Sequence, residues 1–158
     1  MSVPRKLILM RHGEAQKEGP SDKARILSPH GVAQAQRVGR KLQETLAGCD
    51  RAVVSNATRT KETGEHVLAS FISTETNYEP LLYTANNAVE FTKALSRHIT
   101  SEDRVVLVIG HNPIISSMAC LLTGTEHGFK PSEYLILTIE ADDWPTALGS
   151  SRCWTART

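Results

Sequence analysis

The sequence has little that would suit it to an oxidising, membrane or nucleic-acid setting. Three cysteines, Cys49, Cys120 and Cys153, are spread through 158 residues. This odd, widely spaced set argues against a disulfide framework and suits a reducing cytoplasm. There is no Cys-x-x-Cys or Cys-His cluster, which argues against a zinc site of the usual spacing. No apolar run approaches the roughly 20 residues that a membrane helix needs. Met1 to Lys6 lacks the long apolar stretch of a signal peptide. Excess charge is missing too: 18 Lys and Arg against 17 Asp and Glu leave a net charge of +1, and aromatics make up only 5%. Nucleic acid and anionic membrane therefore find no electrostatic footprint. With no repeat, low-complexity tract or linker, one cytoplasmic domain over residues 1–158 is expected, long enough to bury a real core.

What the sequence does have is a regular alternation of strand-like and helix-like segments. Lys6 to Met10 is an apolar run of strand length that ends abruptly in Arg11-His12-Gly13. Ser28-Pro29 opens a helix, Ser as N-cap and Pro at the first helical position. Val32, Ala35, Val38, Leu42 and Leu46 recur on one face of it, and Gly48 is its expected stop. A glycine in its first turn, Gly31, would allow close backbone approach. Arg51 to Val54 reads as a second strand, and Arg59 to Ser70 as a second helix with Val67 and Phe71 inward. Thr74 to Leu82 is a weaker extended segment interrupted by Pro80. Asn86 or Asn87 caps a helix carrying Val89, Leu95 and Ile99 inward. Arg104 to Ile109 reads as a strand whose Val-Val-Leu-Val-Ile run, continuously apolar and rich in β-branched residues, has the pattern of a central strand covered on both faces. A helix starts near Pro113, and Tyr134 to Glu140 forms a last strand. Residues 142–158 add an edge strand or stay partly loose. The order predicts a three-layer α/β/α sandwich on a mostly parallel sheet, with a late strand antiparallel.

Chemistry collects at three strand-to-helix junctions. Arg11 and His12 follow the first strand, Arg59 starts the helix after the second, and His111 follows the strand at 105–109. In a parallel sheet these junctions share one edge, where ligands of open α/β sheets bind. Gly13 allows a sharp turn there, having no Cβ to clash at positive φ. Arginine forks and helix N-termini suit phosphoryl oxygens. An unprotonated histidine can attack phosphorus and carry it covalently, while a second histidine donates to a non-bridging oxygen. Arg25, in the loop after the first strand, is placed to join them. The remaining histidines, His30, His66, His98 and His127, read as surface or helix-face residues. Arg5, Arg37, Arg40 and Lys41 read as a solvated face, and Cys120 as a buried core cysteine.

These residues carry a resemblance. Leu9-Met10-Arg11-His12-Gly13-Glu14 resembles the phosphate-pocket motif of the histidine phosphatase superfamily, which includes the phosphoglycerate mutases. Leu27-Ser28-Pro29-His30-Gly31-Val32-Ala33-Gln34-Ala35 resembles its first-helix start, Ser55-Asn56-Ala57-Thr58-Arg59-Thr60 its second-arginine motif, and Val108-Ile109-Gly110-His111-Asn112 its second-histidine motif. The four motifs stand in order over residues 6 to 122. Arg25-Ile26-Leu27-Ser28 and the short chain are most similar to SixA-type phosphohistidine phosphatases. The resemblance implies a phosphoglycerate mutase-like fold. It makes His12 the nucleophile, with Arg11, Arg59 and His111 binding the phosphoryl oxygens and Arg25 a fourth contact. It implies no metal and no cofactor.

An acid for the leaving group is the part that departs from the family pattern. Asn112 follows His111 where one branch carries an Asp. Glu79 lies in about the region of the mutase-branch acid, but its flanking Pro80-Leu81-Leu82 does not match. Glu14 and Asp22 are the other candidates. An imidazole leaving group needs less protonation than an alkoxide, so a missing acid fits a phosphohistidine substrate. Only about fifty residues separate Arg59 from His111, which leaves little room for a helical lid and predicts an open site. The expected partner is a phosphohistidine-bearing protein. The alternatives are a small phosphoester substrate, or a phosphate- or phosphoprotein-binding module without turnover.

Overall fold

The computed structural model describes residues 2–158. Its elements run β1 (Val3–Arg11), α1 (Pro29–Leu46), β2 (Cys49–Ser55), α2 (Thr58–Leu68), β3 (Ser73–Glu79), α3 (Leu81–Thr84), α4 (Ala88–Ser96), β4 (Val105–Gly110), α5 (Ile114–Thr123), β5 (Tyr134–Ala141), α6 (Trp144–Leu148) and β6 (Thr155–Arg157). They build a six-stranded sheet in the order β3-β2-β4-β1-β5-β6. The first four strands in that order are mutually parallel, while β5 runs antiparallel to β1 and β6 antiparallel to β5. The α/β sandwich and the antiparallel late strand are as the sequence pattern predicts.

Strand alternation sorts the core into two halves. Leu7 and Leu9 of β1 join Val106, Val108, Leu135 and Leu137 on one face, covered by α4, α5 and α6. Ile8 and Met10 join Val54, Leu107, Ile109 and Ile136 on the other, covered by α1 and α2. Successive side chains of a strand point to opposite faces, so a continuously apolar strand needs cover on both. β4 lies between β2 and β1 with Val106 to Ile109 fully buried, the central position its composition predicts.

Several elements differ from the pattern. The most buried positions of α1 include Gly31 and Gly39, while Val32, Val38 and Leu46 are only half-buried. A Cβ on Gly39 would lie 2.5 Å from the Val67 carbonyl oxygen, so glycine lets α1 and α2 approach backbone to backbone. The left-handed residue ending α1 is Ala47 (φ 66°), one position before Gly48. Ser28 caps the start as expected, accepting from the Gly31 N–H. Leu81 and Leu82 lie in a helical turn because Pro80 opens α3. Val89 is 79% exposed, and Phe91 and Ala94 take the inward places beside Leu95. Cys120 is only half-buried. Residues after 142 are ordered into α6, capped by the Asp143 carboxylate, and the edge strand β6. Arg5 is 2% exposed rather than solvated.

Candidate active site

The register places three junctions side by side. Arg11 pairs with Gly110 across β1 and β4, and Val54 with Ile109 across β2 and β4. The carboxyl ends of these strands therefore present Arg11-His12, Ser55 and His111 along one edge. Main-chain bonds fix His12: its N–H donates to the Gly110 carbonyl at 3.1 Å, and its carbonyl accepts from Ser132 N–H at 2.9 Å. The next N–H, of Gly13, donates to Thr63 Oγ1 of α2. Gly13 is needed for close approach and not for a positive φ, which it does not adopt. A Cβ there would lie 2.8 Å from the Gly31 carbonyl oxygen, and a Cβ on Gly31 only 2.0 Å from that of Glu14. The two glycines together let the loop lie against the start of α1.

His12 is 8% exposed. Its Nδ1 is 2.7 Å from the Gly13 carbonyl oxygen. A carbonyl only accepts, so Nδ1 carries the hydrogen and Nε2 is left with a free lone pair. Arg59 Nε donates toward that lone pair at 3.3 Å. Burial pushes the imidazole down to a pKa of about 4; the Gly13 bond opposes this, and Arg59, Arg11 and Arg25 add to it. The form favoured near neutral pH is therefore the one able to attack.

His111 stands opposite, its ring centroid 5.3 Å from that of His12. Its Nε2 is 2.7 Å from Ser55 Oγ, and its Nδ1 is buried with no partner among the described residues. Burial, then the neighbouring His12 and Arg59, lower its pKa to about 3. Arg11 gives Nη1 to the Phe129 carbonyl at 2.9 Å, while its buried Nε has no partner among the described residues. Arg59, 6% exposed, gives Nη1 to the Asp22 carbonyl at 2.8 Å and Nη2 to the Asp22 carboxylate at 3.3 Å. Buried polar atoms almost always find partners. Two such atoms without one, beside a histidine lone pair and the Arg59 guanidinium, make a cradle that a tetrahedral oxyanion would satisfy.

The structure brings His12, Arg11, Arg59 and His111 together. Arg25 lies one step out: Nε and Nη2 meet Asp22 Oδ1 at 3.1 Å, and Nη1 meets the Gln16 carbonyl. Glu79 ends β3 at the same sheet edge, but its carboxylate accepts from Leu81 N–H, Arg97 and His98. Those bonds hold its pKa down despite burial. Its hydrogen-bond partners thus lie at the start of α3 and just after α4, and include none of the four. Glu14 is exposed and accepts from Ser28 Oγ. Asp22 reaches the site, with its pKa lowered to about 2, first by the Tyr83 hydroxyl and also by Arg59 and Arg25 against some desolvation. Sequence reasoning missed Tyr83 and Ser55 as site residues. Tyr83 sits on α3, its ring 5.5 Å edge-on from His111. Pro80 was the available signal for that helical turn. Between Arg59 and His111, α4 buries Phe91, Ala94 and Leu95 in the core, so it forms a layer of the fold and not a lid.

Comparison with known proteins places this arrangement. The model of the histidine phosphatase superfamily (branch 1) matches residues 7–83. An uncharacterised protein of Mycobacterium leprae is 32% identical over 107 residues, 66% of this chain and 62% of that protein. An uncharacterised protein of Mycobacterium tuberculosis is 31% identical over 116 residues, 72% of this chain and 69% of that one. The match therefore spans about two thirds of the length of these relatives. A phosphohistidine phosphatase SixA homolog of Haemophilus influenzae is 29% identical over 130 residues, 75% of this chain and 77% of that protein. The fold is shared with the SixA structure from Nakamurella multipartitia (TM-score 0.81, 23% identity, 99% and 96% of the two chains). It is shared also with that of the protein histidine phosphatase SixA complexed with tungstate (TM-score 0.78, 23% identity, 97% and 94%). The chain belongs to the histidine phosphatase superfamily. Among the described residues, no group of three or more His, Cys, Asp or Glu is arranged to hold a metal, and no helix is long and apolar enough to cross a membrane.

Proposed function

We propose that this protein is a phosphatase that takes a phosphoryl group from a phosphohistidine-bearing protein onto His12 and passes it to water. The observation that carries this reading is the state of His12. Its hydrogen is held on Nδ1 by Gly13, and its lone pair faces Arg59 Nε, with the Arg11 and Arg25 charges nearby. In-line attack of Nε2 on phosphorus forms the new P–N bond as the bond to the substrate nitrogen breaks. Charge on the equatorial oxygens is met by Arg11 Nε and Arg59. With Ser55 donating its hydroxyl hydrogen to Nε2 of His111, Nδ1 of that ring carries a hydrogen and donates to a third oxygen. The arginines supply the positive charge that the transfer needs. Water then attacks phospho-His12 along the path the leaving group vacated.

The proposed substrate class rests on two features. A site without a lid admits a side chain on a protein surface but encloses a small metabolite poorly. Neither of the two buried or site-facing carboxylates is a free acid: Asp22 is held ionised, and Glu79 is engaged elsewhere. An imidazole leaving group tolerates that better than an alkoxide. The similarity to a SixA homolog supports the same reading.

Rapid denaturation during turnover of a protein carrying radiolabelled phosphohistidine tests the proposal. An acid-labile, alkali-stable label on the wild-type chain, with label and phosphate release both lost in His12→Ala, is the expected result. Release undiminished in His12→Ala would overturn it. Faster turnover of p-nitrophenyl phosphate than of phosphohistidine would move the substrate class to small phosphoesters.

A further inference from the structure

Asp22 is tied into the site more firmly than a loop carboxylate needs to be. Its carbonyl accepts Arg59 Nη1 at 2.8 Å. Its Oδ2 accepts Arg59 Nη2 at 3.3 Å and the Tyr83 hydroxyl at 2.6 Å. Its Oδ1 takes the Arg25 fork. The next carbonyl, of Lys23, accepts Thr58 N–H at the start of α2. Backbone and side chain are thus both fixed to the helix that carries Arg59. The Nε edge of Arg59 faces His12 Nε2, and its Nη atoms face Asp22. The carboxylate therefore lies across one guanidinium from the nucleophile, on the solvent side, with 58% of its side chain exposed.

A fixed anion beside a phosphate site opposes binding of an ordinary phosphate dianion, and this one is not available as a general acid. Its position gains a purpose if the leaving group is itself cationic. We propose that the Asp22 carboxylate, positioned by Tyr83, accepts a hydrogen bond from the substrate imidazole at the ring nitrogen that does not carry phosphorus, selecting the protonated phosphoimidazolium. The proposal rests on the phosphohistidine reading above. In the step itself His12 Nε2 gives its lone pair to phosphorus, and the breaking P–N bond leaves its electron pair on the substrate nitrogen. The proton already held on the other nitrogen makes the departing ring a neutral imidazole, so no proton has to be delivered to the departing atom.

Arg25 and Tyr83 together with Arg59 occupy the carboxylate lone pairs. Phosphoryl oxygens entering beside Arg59 compete for its Nη2 donor and for the half-buried Arg25 fork, whose pair with the exposed Asp22 carboxylate is cheap to open. They release lone pairs on Asp22 as the leaving imidazole arrives. The arrangement mirrors His12, whose own non-reacting nitrogen is held protonated by the Gly13 carbonyl. A carboxylate holds a protonated ring more strongly than a carbonyl does.

The test compares free 3-phosphohistidine with p-nitrophenyl phosphate, whose leaving group has no N–H, for wild type and Asp22→Asn. The amide keeps an acceptor for Tyr83 and Arg59 and removes the charge. The expected result is a fall of ~10- to 100-fold in the ratio of the two kcat/KM values, the size of one charge-assisted hydrogen bond. The alkaline limb of kcat for phosphohistidine should also move to lower pH, with no such shift for p-nitrophenyl phosphate. A wild type that cleaves phosphohistidine, with the ratio and limb unchanged in Asp22→Asn, overturns the assignment of Asp22 alone. A wild type that cleaves neither free 3-phosphohistidine nor a phosphohistidine-bearing protein overturns the proposed function, and this inference with it.

Discussion

The two ends of the sheet treat buried arginine in opposite ways. At the amino end of β1, Arg5 is 2% exposed and fully engaged: its guanidinium donates to the carbonyls of Ala141, Asp103 and Asp142 at 3.2, 3.3 and 2.7 Å. Beside it the Asp103 carboxylate accepts Arg51 Nε at 2.7 Å and Thr100 N–H at 2.8 Å, and Arg51 also reaches Asn77. Trp144 gives its indole N–H to the Asp103 carbonyl and lies 5.6 Å under the Arg5 guanidinium. At the carboxyl end of the same strand Arg11 keeps an Nε, and after neighbouring β4 His111 keeps an Nδ1, without a partner among the described residues. Burial first, and the Arg59 charge after it, lower the pKa of Arg11, His12 and His111 alike. One end is satisfied by the protein alone. The other keeps donors that a bound oxyanion would satisfy, so under the proposed function the same residue types serve as structure at one edge and as a receptor at the other.

Breaking the satisfied end should cost stability and spare the chemistry. Asp103→Ala leaves the Arg51 charge and the Thr100 N–H without their carboxylate. Removing one partner of such a pair costs about 3 to 5 kcal/mol, read as a lower urea midpoint with unchanged slope. The folded fraction should turn over at the wild-type rate. A matched loss of kcat would show that the two ends are coupled. Breaking the receptor end should do the reverse. Arg59→Met removes a donor for the transferring oxygens and should lower kcat by roughly 10² to 10³-fold. The urea midpoint should hold or rise, because a like charge has left a cluster of like charges. A midpoint falling as far as in Asp103→Ala would mean that Arg59 is chiefly structural.

The same contrast decides what could be read from sequence. The receptor end was legible because its parts are local signals: an apolar strand ending in Arg11-His12-Gly13, and a β-branched strand ending before His111. Parallel strands put both at one edge. The satisfied end was not. Arg5 looks solvated because it is charged, and its three acceptors lie 136, 98 and 137 residues away along the chain. No periodicity announces carbonyls so distant. Val89 failed for a different reason: helical spacing defines an apolar face, but packing of Phe91 and Ala94 decided which way α4 turned. Tyr83 and Ser55 are ordinary residues in ordinary surroundings until the fold sets one beside His111 and the other in hydrogen bond with it. Asp22 was legible as a carboxylate in the right loop. The contacts that lower its pKa further were not, since they come from Tyr83 of α3 and Arg59 of α2.

Acid should separate the ends by the smallest margin. His12 and His111 have pKa values lowered to about 4 and about 3, against an ordinary value near 6.5, with burial the first cause in both. A histidine depressed in the folded state binds its proton more readily when unfolded, so stability rises with pH over that interval. The contribution is complete above about pH 6.5 and is lost progressively as pH falls toward 4. For one such imidazole the loss is on the order of 2 kcal/mol at pH 5. The acid limb of kcat/KM should then lie near pH 4 for the free enzyme instead of near 6.5. A bound oxyanion reverses the sign of the local field and raises both histidine pKa values. Phosphate should therefore raise the thermal midpoint more at pH 5 than at pH 7.5. In Arg59→Met the acid limb should move upward, since one of the charges holding His12 neutral is gone. A limb that stays near 6.5 in wild type, together with a phosphate effect independent of pH, would show that His12 is solvated and freely titrating. The division between a self-satisfied end and an anion-completed end would then be lost.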